Sequence, residues 1–281
     1  MGRRWPCAAG TFYPADPRRL RDEVEAALGG DGPVVPRPEP LTGPVGAILP
    51  HAGYRYSGAV AGAGFRALAA LGRPEALVIL GTNHTGLGGP ITVGEPGTWE
   101  TPLGEIPVPA DLSRDVAQAL GAERDDAPFG DEHSVEVQLP FVGYLFGTVP
   151  LVPVVVQHLG QAAAVAAGSA LGSLLTDRPI ALLASSDFTH YEPDPVAREK
   201  DRRALAPILN LDVGGFLAAV ARYRVSICGV GAIALFLAAA REAGLLGAEL
   251  LAYRTSGEVA GHLDQVVGYA AVLCRQVDDV A

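Results

Sequence analysis

The chain has 281 residues, 49% of them apolar and 19% charged, with a formal net charge of -10. That much apolar material builds one packed core and excludes a disordered chain, while negative charge spread along the sequence repels nucleic acid and anionic membrane surfaces alike. No stretch reaches the ~18–20 uninterrupted apolar residues of a membrane-spanning helix, Met1–Ala9 holds no signal-peptide run, and the widely spaced Cys7, Cys228 and Cys274 suit a reducing compartment, so a cytoplasmic location is expected.

In chain order, Arg3, Arg4, Arg18, Arg19 and Arg21 are interleaved with Asp16, Asp22, Glu23 and Glu25 and read as a solvated helix face, the helix running from about Asp16 to Leu28. Gly30–Pro44 is a proline-rich surface connection. Val45–Leu49 is a buried-strand candidate that runs into the loop Pro50-His51-Ala52-Gly53-Tyr54 and a helix from about Gly58 to Ala70. Ala76–Leu80 repeats the design and ends in Gly81-Thr82-Asn83-His84. Ile91–Val108, around Trp99, reads as short strands or a hairpin excursion. Leu151–Val156 ends at Gln157-His158 and Ile180–Ala184 at Ser185-Ser186-Asp187-Phe188-Thr189-His190, each strand being followed by a helical stretch. A helix at about Val230–Ala243 and strands at Glu249–Thr255 and Val266–Leu273 complete the pattern. The alternation predicts a single α/β domain over residues 1–281, a largely parallel or mixed central sheet covered by helices on both faces, with residues 1–44 packed on it. Ligands of such sheets gather at the carboxyl ends of strands, so His51, His84 and His190 are expected on one rim.

Those positions set the chemistry. Neutral imidazole suits iron, copper and zinc, and two histidines with one anionic ligand are a recurring minimum. Asp187, Glu132 and Cys228 all qualify as the anion, and spacing does not choose among them. Cys228 lies in Ser226-Ile227-Cys228-Gly229-Val230-Gly231, where glycines permit close backbone approach at a helix start, and a helix N-terminus favours a thiolate. His133 sits in the acidic stretch Gly130-Asp131-Glu132-His133-Ser134, whereas His158 and His262 have weaker contexts. Asp187 with His190 also fits an N-cap and a loop histidine, and Tyr54 and Tyr56 fit either pocket walls or core packing. No dinucleotide fingerprint or P-loop occurs.

Taken together, Pro50-His51-Ala52-Gly53-Tyr54, Asp131-Glu132-His133-Ser134-Val135-Glu136, Ser185-Ser186-Asp187-Phe188-Thr189-His190 and Ile227-Cys228-Gly229 resemble the Memo family, as do Ala9-Gly10-Thr11-Phe12-Tyr13-Pro14 and Tyr269-Ala270-Ala271 near the ends. In bacteria such proteins are called protein B of the AmmeMemoRadiSam system. The resemblance implies a fold similar to the class III, LigB-type extradiol dioxygenases, which hold non-haem iron(II) with two histidines and a carboxylate. It further implies His51, His84 and Cys228 as metal ligands, the cysteine replacing the carboxylate, and His190 as the acid/base histidine with Asp187 and His133 beside it. Eukaryotic members carry an Arg-His-Pro run where this chain has Val230-Gly231-Ala232, and a doubled histidine where it has Asn83-His84-Thr85.

A thiolate ligand makes the site softer and shifts preference toward copper or tightly held iron. The leading expectation is therefore an iron(II)- or copper-dependent redox protein that meets dioxygen or a small molecule, a protein of the same system being the candidate partner. The alternatives are a peptide- or protein-binding accessory module with a vestigial cleft, and a thiol hydrolase built from Cys228, His190 and Asp187.

Overall fold

The computed structural model of the protein describes residues 2–29 and 39–276; most of the expected connection Gly30–Pro44 lies outside the described residues. The elements run β1 (Gly2–Arg4), α1 (Pro17–Leu28), β2 (Val45–Leu49), α2 (Tyr54–Leu71), β3 (Ala76–Thr82), β4 (Ile91–Val93), β5 (Gly97–Thr101), β6 (Gly104–Val108), α3 (Ala110–Leu120), β7 (Glu123–Arg124) and α4 (Leu139–Phe146). They continue with β8 (Leu151–Val156), α5 (Gln161–Leu175), β9 (Ile180–Ser185), β10 (His190–Glu192), α6 (Asp194–Leu209), α7 (Val213–Tyr223), α8 (Val230–Glu242), β11 (Gly247–Thr255), α9 (Gly257–Ala260) and β12 (Val266–Arg275).

A nine-stranded mixed sheet has the order β10-β12-β2-β9-β3-β8-β4-β7, with β11 paired to β12. At its centre β2, β9, β3 and β8 are mutually parallel, and antiparallel β12 and β4 flank them. Every residue of these four central strands is buried, which is why they read as continuous apolar runs rather than alternating ones. Alternate side chains still divide between two faces: Val78, Leu80, Val152 and Val154 join the helices α5–α8 in one core layer. Leu77, Ile79, Leu151 and Val155 join α1, α2 and α4 in the other. No helix among the described residues is long and apolar enough to cross a membrane.

Two of the strand-to-helix expectations are corrected. After β3 the chain enters β4 of the main sheet, and after β9 it enters the short strand β10, before any helix follows. Strands β5 and β6 form the expected hairpin excursion and join β1, which carries Arg3 and Arg4, in a separate three-stranded sheet.

Local rules place α1. Asp16 accepts hydrogen bonds from the backbone N–H of Arg18 and Arg19 at 3.1 and 2.9 Å, Pro17 starts the helix, and Leu20, Val24 and Leu28 form one buried stripe. Arg18, Arg19 and Arg21 are exposed as expected. Arg4 is not: it lies on β1, outside the helix, and its side chain is only 12% exposed, paired with fully buried Glu136 at 2.6 Å. A planar guanidinium can enter the interior when every donor finds an acceptor, which composition near the N-terminus did not disclose.

Helix α2 meets α1 so closely that a Cβ at Gly62 would stand 2.1 Å from the Ala27 carbonyl oxygen. Gly62→Ala is expected to destabilise the fold by about 1–3 kcal/mol, the usual cost of overpacking, read from the urea midpoint. A midpoint equal to wild type would show that α1 is free to shift. Glu136 supplies a second test. Burial opposes its ionisation, but Arg4, Tyr13 and the backbone N–H groups of Cys7 and Ala8 outweigh burial and hold its carboxyl below the ordinary value of 4.5. A carboxylate depressed on folding contributes stability in full above its unfolded value and loses it as pH falls through the folded one. Unfolding free energy measured from pH 6 downward should therefore fall less steeply in Glu136→Gln than in wild type; equal slopes would remove Glu136 from the acid limb.

Candidate metal centre

Because β2, β9, β3 and β8 are neighbours and parallel, their carboxyl ends deliver His51, Asp187, His84 and His158 to the same edge. Ring and sulfur atoms of His51, His84 and Cys228 there lie within 4.8 Å of one another. Sγ of Cys228 is 3.4 Å from Nε2 of His51; metal–nitrogen and metal–sulfur bonds of about 2.0 and 2.3 Å span such separations. The donor set, two imidazoles and a thiol, fits a divalent transition metal.

Hydrogen bonds decide which ring nitrogens are free. The Ser185 hydroxyl donates to the Ser134 carbonyl at 2.6 Å and accepts from Nε2 of Gln138 at 2.8 Å. Its 3.1 Å contact with Nδ1 of His51 therefore requires the ring to donate. The Glu132 carboxylate accepts from Nδ1 of His84 at 2.9 Å, from the His84 backbone N–H at 2.6 Å and from the Ser134 N–H at 2.8 Å. Both imidazoles thus keep their proton on Nδ1 and leave Nε2 for a ligand, the arrangement outer partners impose on metal-binding histidines.

Electrostatics favours the anionic thiol. Burial opposes ionisation of Cys228, but the neighbouring His51 and hydrogen bonds from His51, His84 and Ser186 prevail and hold it well below the ordinary thiol value; the thiolate is the ligating form. The Asp187 N–H adds a 3.2 Å contact to the sulfur. For His84, burial is likewise overcome by Cys228 and Glu132, which push it up to about 10 in the metal-free protein. Glu132 is pulled down to about 2 despite its burial, through His84 and the N–H groups of Ser134 and His84.

Glycine brings the cysteine in. A Cβ at Gly229 would stand 2.6 Å from Ser186, and one at Gly231 only 1.9 Å from the Gln157 carbonyl oxygen, so the turn into α8 approaches β8 and β9 as closely as backbone allows. A cavity of about 320 Å³ opens beside Cys228, lined among others by Thr82, Asn83, Gln157 and His158.

The remaining candidates separate clearly. His133 stacks on His84 at 4.7 Å and meets His51 edge-on at 5.3 Å; burial and the charges of those two histidines push it down to about 4, so it stays neutral. Asp187 is buried and its Oδ1 accepts the His51 N–H at 2.8 Å, which braces the His51 loop; it caps no helix, since Pro193 precedes α6. Burial raises its carboxyl. Among the described residues His190 makes no ring contact with His51, His84 or His133; its Nδ1 is 2.8 Å from the Ser226 carbonyl and its N–H donates to Oγ of Ser226 at 2.8 Å.

Consequently no hydrogen-bonded Cys228–His190–Asp187 relay exists among the described residues; the imidazoles at the sulfur are those of His51 and His84. Glu132 and His133 also come within 4.8 Å of His84, but the Glu132 lone pairs are already used on His84 and Ser134. Tyr54 belongs to the core, donating to the Val137 carbonyl at 2.7 Å and packing on Phe141, and Tyr56 is exposed. Sequence reasoning missed Ser185 as the partner of His51 and Gln138 as the group behind it, donating to Ser185 and to the Pro50 carbonyl; a lone amide in the otherwise apolar stretch 137–142 is the available signal.

A family model described as Memo-like protein matches residues 4–273. MEMO1 family proteins of Pyrobaculum arsenaticum and Methanopyrus kandleri are 40% and 41% identical to this chain, over 96% and 97% of it and 98% and 99% of their own lengths. The crystal structure of an uncharacterized protein from Escherichia coli K12 has a TM-score of 0.54 at 16% identity, covering 82% of this chain and 98% of that one, a likeness of fold alone. With the motifs in place around one edge of the sheet and relatives matched end to end, the chain belongs to the Memo family.

Proposed function

We propose that the protein is a metal-dependent redox protein that holds one ion through Nε2 of His51, Nε2 of His84 and Sγ of Cys228, with iron(II) the resident metal and copper the alternative. The observation that carries this reading is the convergence of three donors whose free lone pairs are set by partners behind them. Once bound, such an ion supplies Lewis acidity and electron transfer toward dioxygen or a small molecule.

The chain's own residues divide the remaining work. Cys228 is the anionic donor, because Glu132 and Asp187 are both committed to holding histidines. His133, neutral and in contact with both ligand rings, accepts a proton from a bound molecule. His190, its Nδ1 fixed by Ser226, offers Nε2 as a second proton carrier at the half-buried rim. The cavity beside Cys228 is of the size small-molecule sites use. This reading places the protein in the cytoplasm, with no role for nucleic acid or membrane.

Cys228→Ser is expected to abolish most metal binding, since a serine hydroxyl stays protonated near neutral pH, whereas Cys7→Ser and Cys274→Ser leave it intact. His51→Ala and His84→Ala should each behave like Cys228→Ser, and His190→Ala should retain the metal. Elemental analysis of proteins purified without oxygen from the native host checks all six. Equal metal in wild type and Cys228→Ser would overturn the ligand set, and metal-free wild type would favour the binding-module reading. Glu132→Gln should weaken affinity roughly 10- to 100-fold, the range for outer partners of a ligand; titration of the metal-free protein with iron(II) gives the value.

A further inference from the structure

The segment ahead of α1 makes more contacts with the site than a terminal strand requires. On β1, Arg4 spends its guanidinium on three acceptors in the loop between β7 and α4. Nε donates to the Phe129 carbonyl at 2.8 Å, Nη2 to the Glu132 carbonyl at 2.8 Å and Nη1 to the Glu136 carboxylate at 2.6 Å. Glu136 then gathers the segment itself, accepting from the N–H groups of Cys7 and Ala8 at 2.9 and 2.8 Å and from the Tyr13 hydroxyl at 2.6 Å. Further along, the Phe12 ring lies 4.3 Å from His133, and the Phe12 carbonyl accepts the Tyr54 N–H at 2.8 Å, three residues beyond His51.

We propose that residues 2–16 are a working part of the metal centre, with Arg4 the positioning residue for His84: Arg4 pins the main chain of Glu132, and the Glu132 carboxylate fixes both the backbone N–H and Nδ1 of His84. The inference rests on His51, His84 and Cys228 being the ligands. It deepens that reading by extending the site from the strand ends to a segment more than a hundred residues from Glu132 in sequence. His84 needs this support because it is exposed, on the open side of the centre, while His51 is buried among its partners. Ligand geometry tolerates errors of only about 0.5 Å, and a planar guanidinium fixes three acceptors in direction as well as distance, which a lysine ammonium does not.

The adjacent Arg3 provides the control. It is exposed and pairs with Glu100 and Glu105 on the β5–β6 hairpin, and among the described residues its side chain makes no hydrogen bond or ion pair to that loop. The experiment uses the full chain, stripped of metal and titrated with cobalt(II) without oxygen, recording affinity together with the ligand-field and thiolate charge-transfer spectrum at saturation. Arg4→Ala is expected to bind cobalt(II) at least about tenfold more weakly and to show an altered ligand-field envelope with the thiolate band retained. Arg4→Lys should not restore the envelope, and Arg3→Ala should match wild type. Should Arg4→Ala fail to fold, Glu136→Gln, which keeps acceptors for Tyr13 and Ala8 but loses the ion pair, should show the same spectral change in smaller measure. A wild-type spectrum and affinity in the folded Arg4 variants, or in Glu136→Gln where those do not fold, would overturn the positioning role. So would an equal loss in Arg3→Ala, which would make the effect one of general anchoring. Wild type that binds no cobalt(II) at His51, His84 and Cys228 would overturn the ligand reading itself, and this inference with it.

Discussion

Parallel strands that lie side by side must end on the same edge, and this constraint organises the molecule. Four such strands, β2, β9, β3 and β8, each finish in a polar loop, so residues 51, 84, 158 and 187, scattered in sequence, become neighbours without any of the loops being long. Glu132 and His133 reach the edge from the loop between β7 and α4, and Cys228 reaches it at the start of a helix whose glycines remove the side chains that would hold it off. The family's four motifs are therefore four approaches to one point.

Bringing polar groups to a buried edge carries an energetic cost that the chain offsets by pairing. His51, Glu132, Ser134, Gln138, Ser185, Ser186 and Asp187 are all 5% exposed or less, and an unpaired buried polar group costs on the order of 1–3 kcal/mol. Apart from the buried Oε1 of Gln138, which has no partner among the described residues, the groups satisfy one another in sequence: Gln138 and His51 donate to Ser185, Ser185 donates to Ser134, and Ser134 and His84 donate to Glu132. Each bond that removes a penalty also removes a rotational freedom from a proposed ligand. Stability and preorganisation are in this site the same set of contacts.

The parts of this arrangement that were legible in the sequence were those with a period or a run. Val45–Leu49 and Leu151–Val156 were read with the boundaries observed, because strands covered on both faces must be continuously apolar, and the histidines after them were visible as interruptions. The three-way choice of anion was not legible, since Glu132, Asp187 and Cys228 are each acidic or soft, and each lies near a histidine motif. Geometry separates them by what their lone pairs already do. Arg4 was misread for a related reason: residues 2–16 have no helical or strand period, so their charges were assigned to the neighbouring helix surface. The short strands β1 and β10 escaped because three residues carry no pattern, and His190 lies on β10.

The site has two unlike sides. On one, His51 and Cys228 are clamped by buried partners and by backbone in contact with backbone. On the other, the His190 side chain bonds Ser226, on a strand whose pairing with β12 is broken by a register shift between His190 and Glu192. Tyr191, at that shift, is 73% exposed and adopts a φ of 58°, in the left-handed region that a bulky residue seldom occupies. Irregular, exposed backbone tolerates change at little cost to the core, whereas the clamped side does not. Under the proposed reading, variation in what such a centre acts on is therefore expected to fall on the His190 side and on the wall of the adjoining cavity, while the proposed ligands and the carboxylates behind them stay fixed by the same bonds that hold the fold.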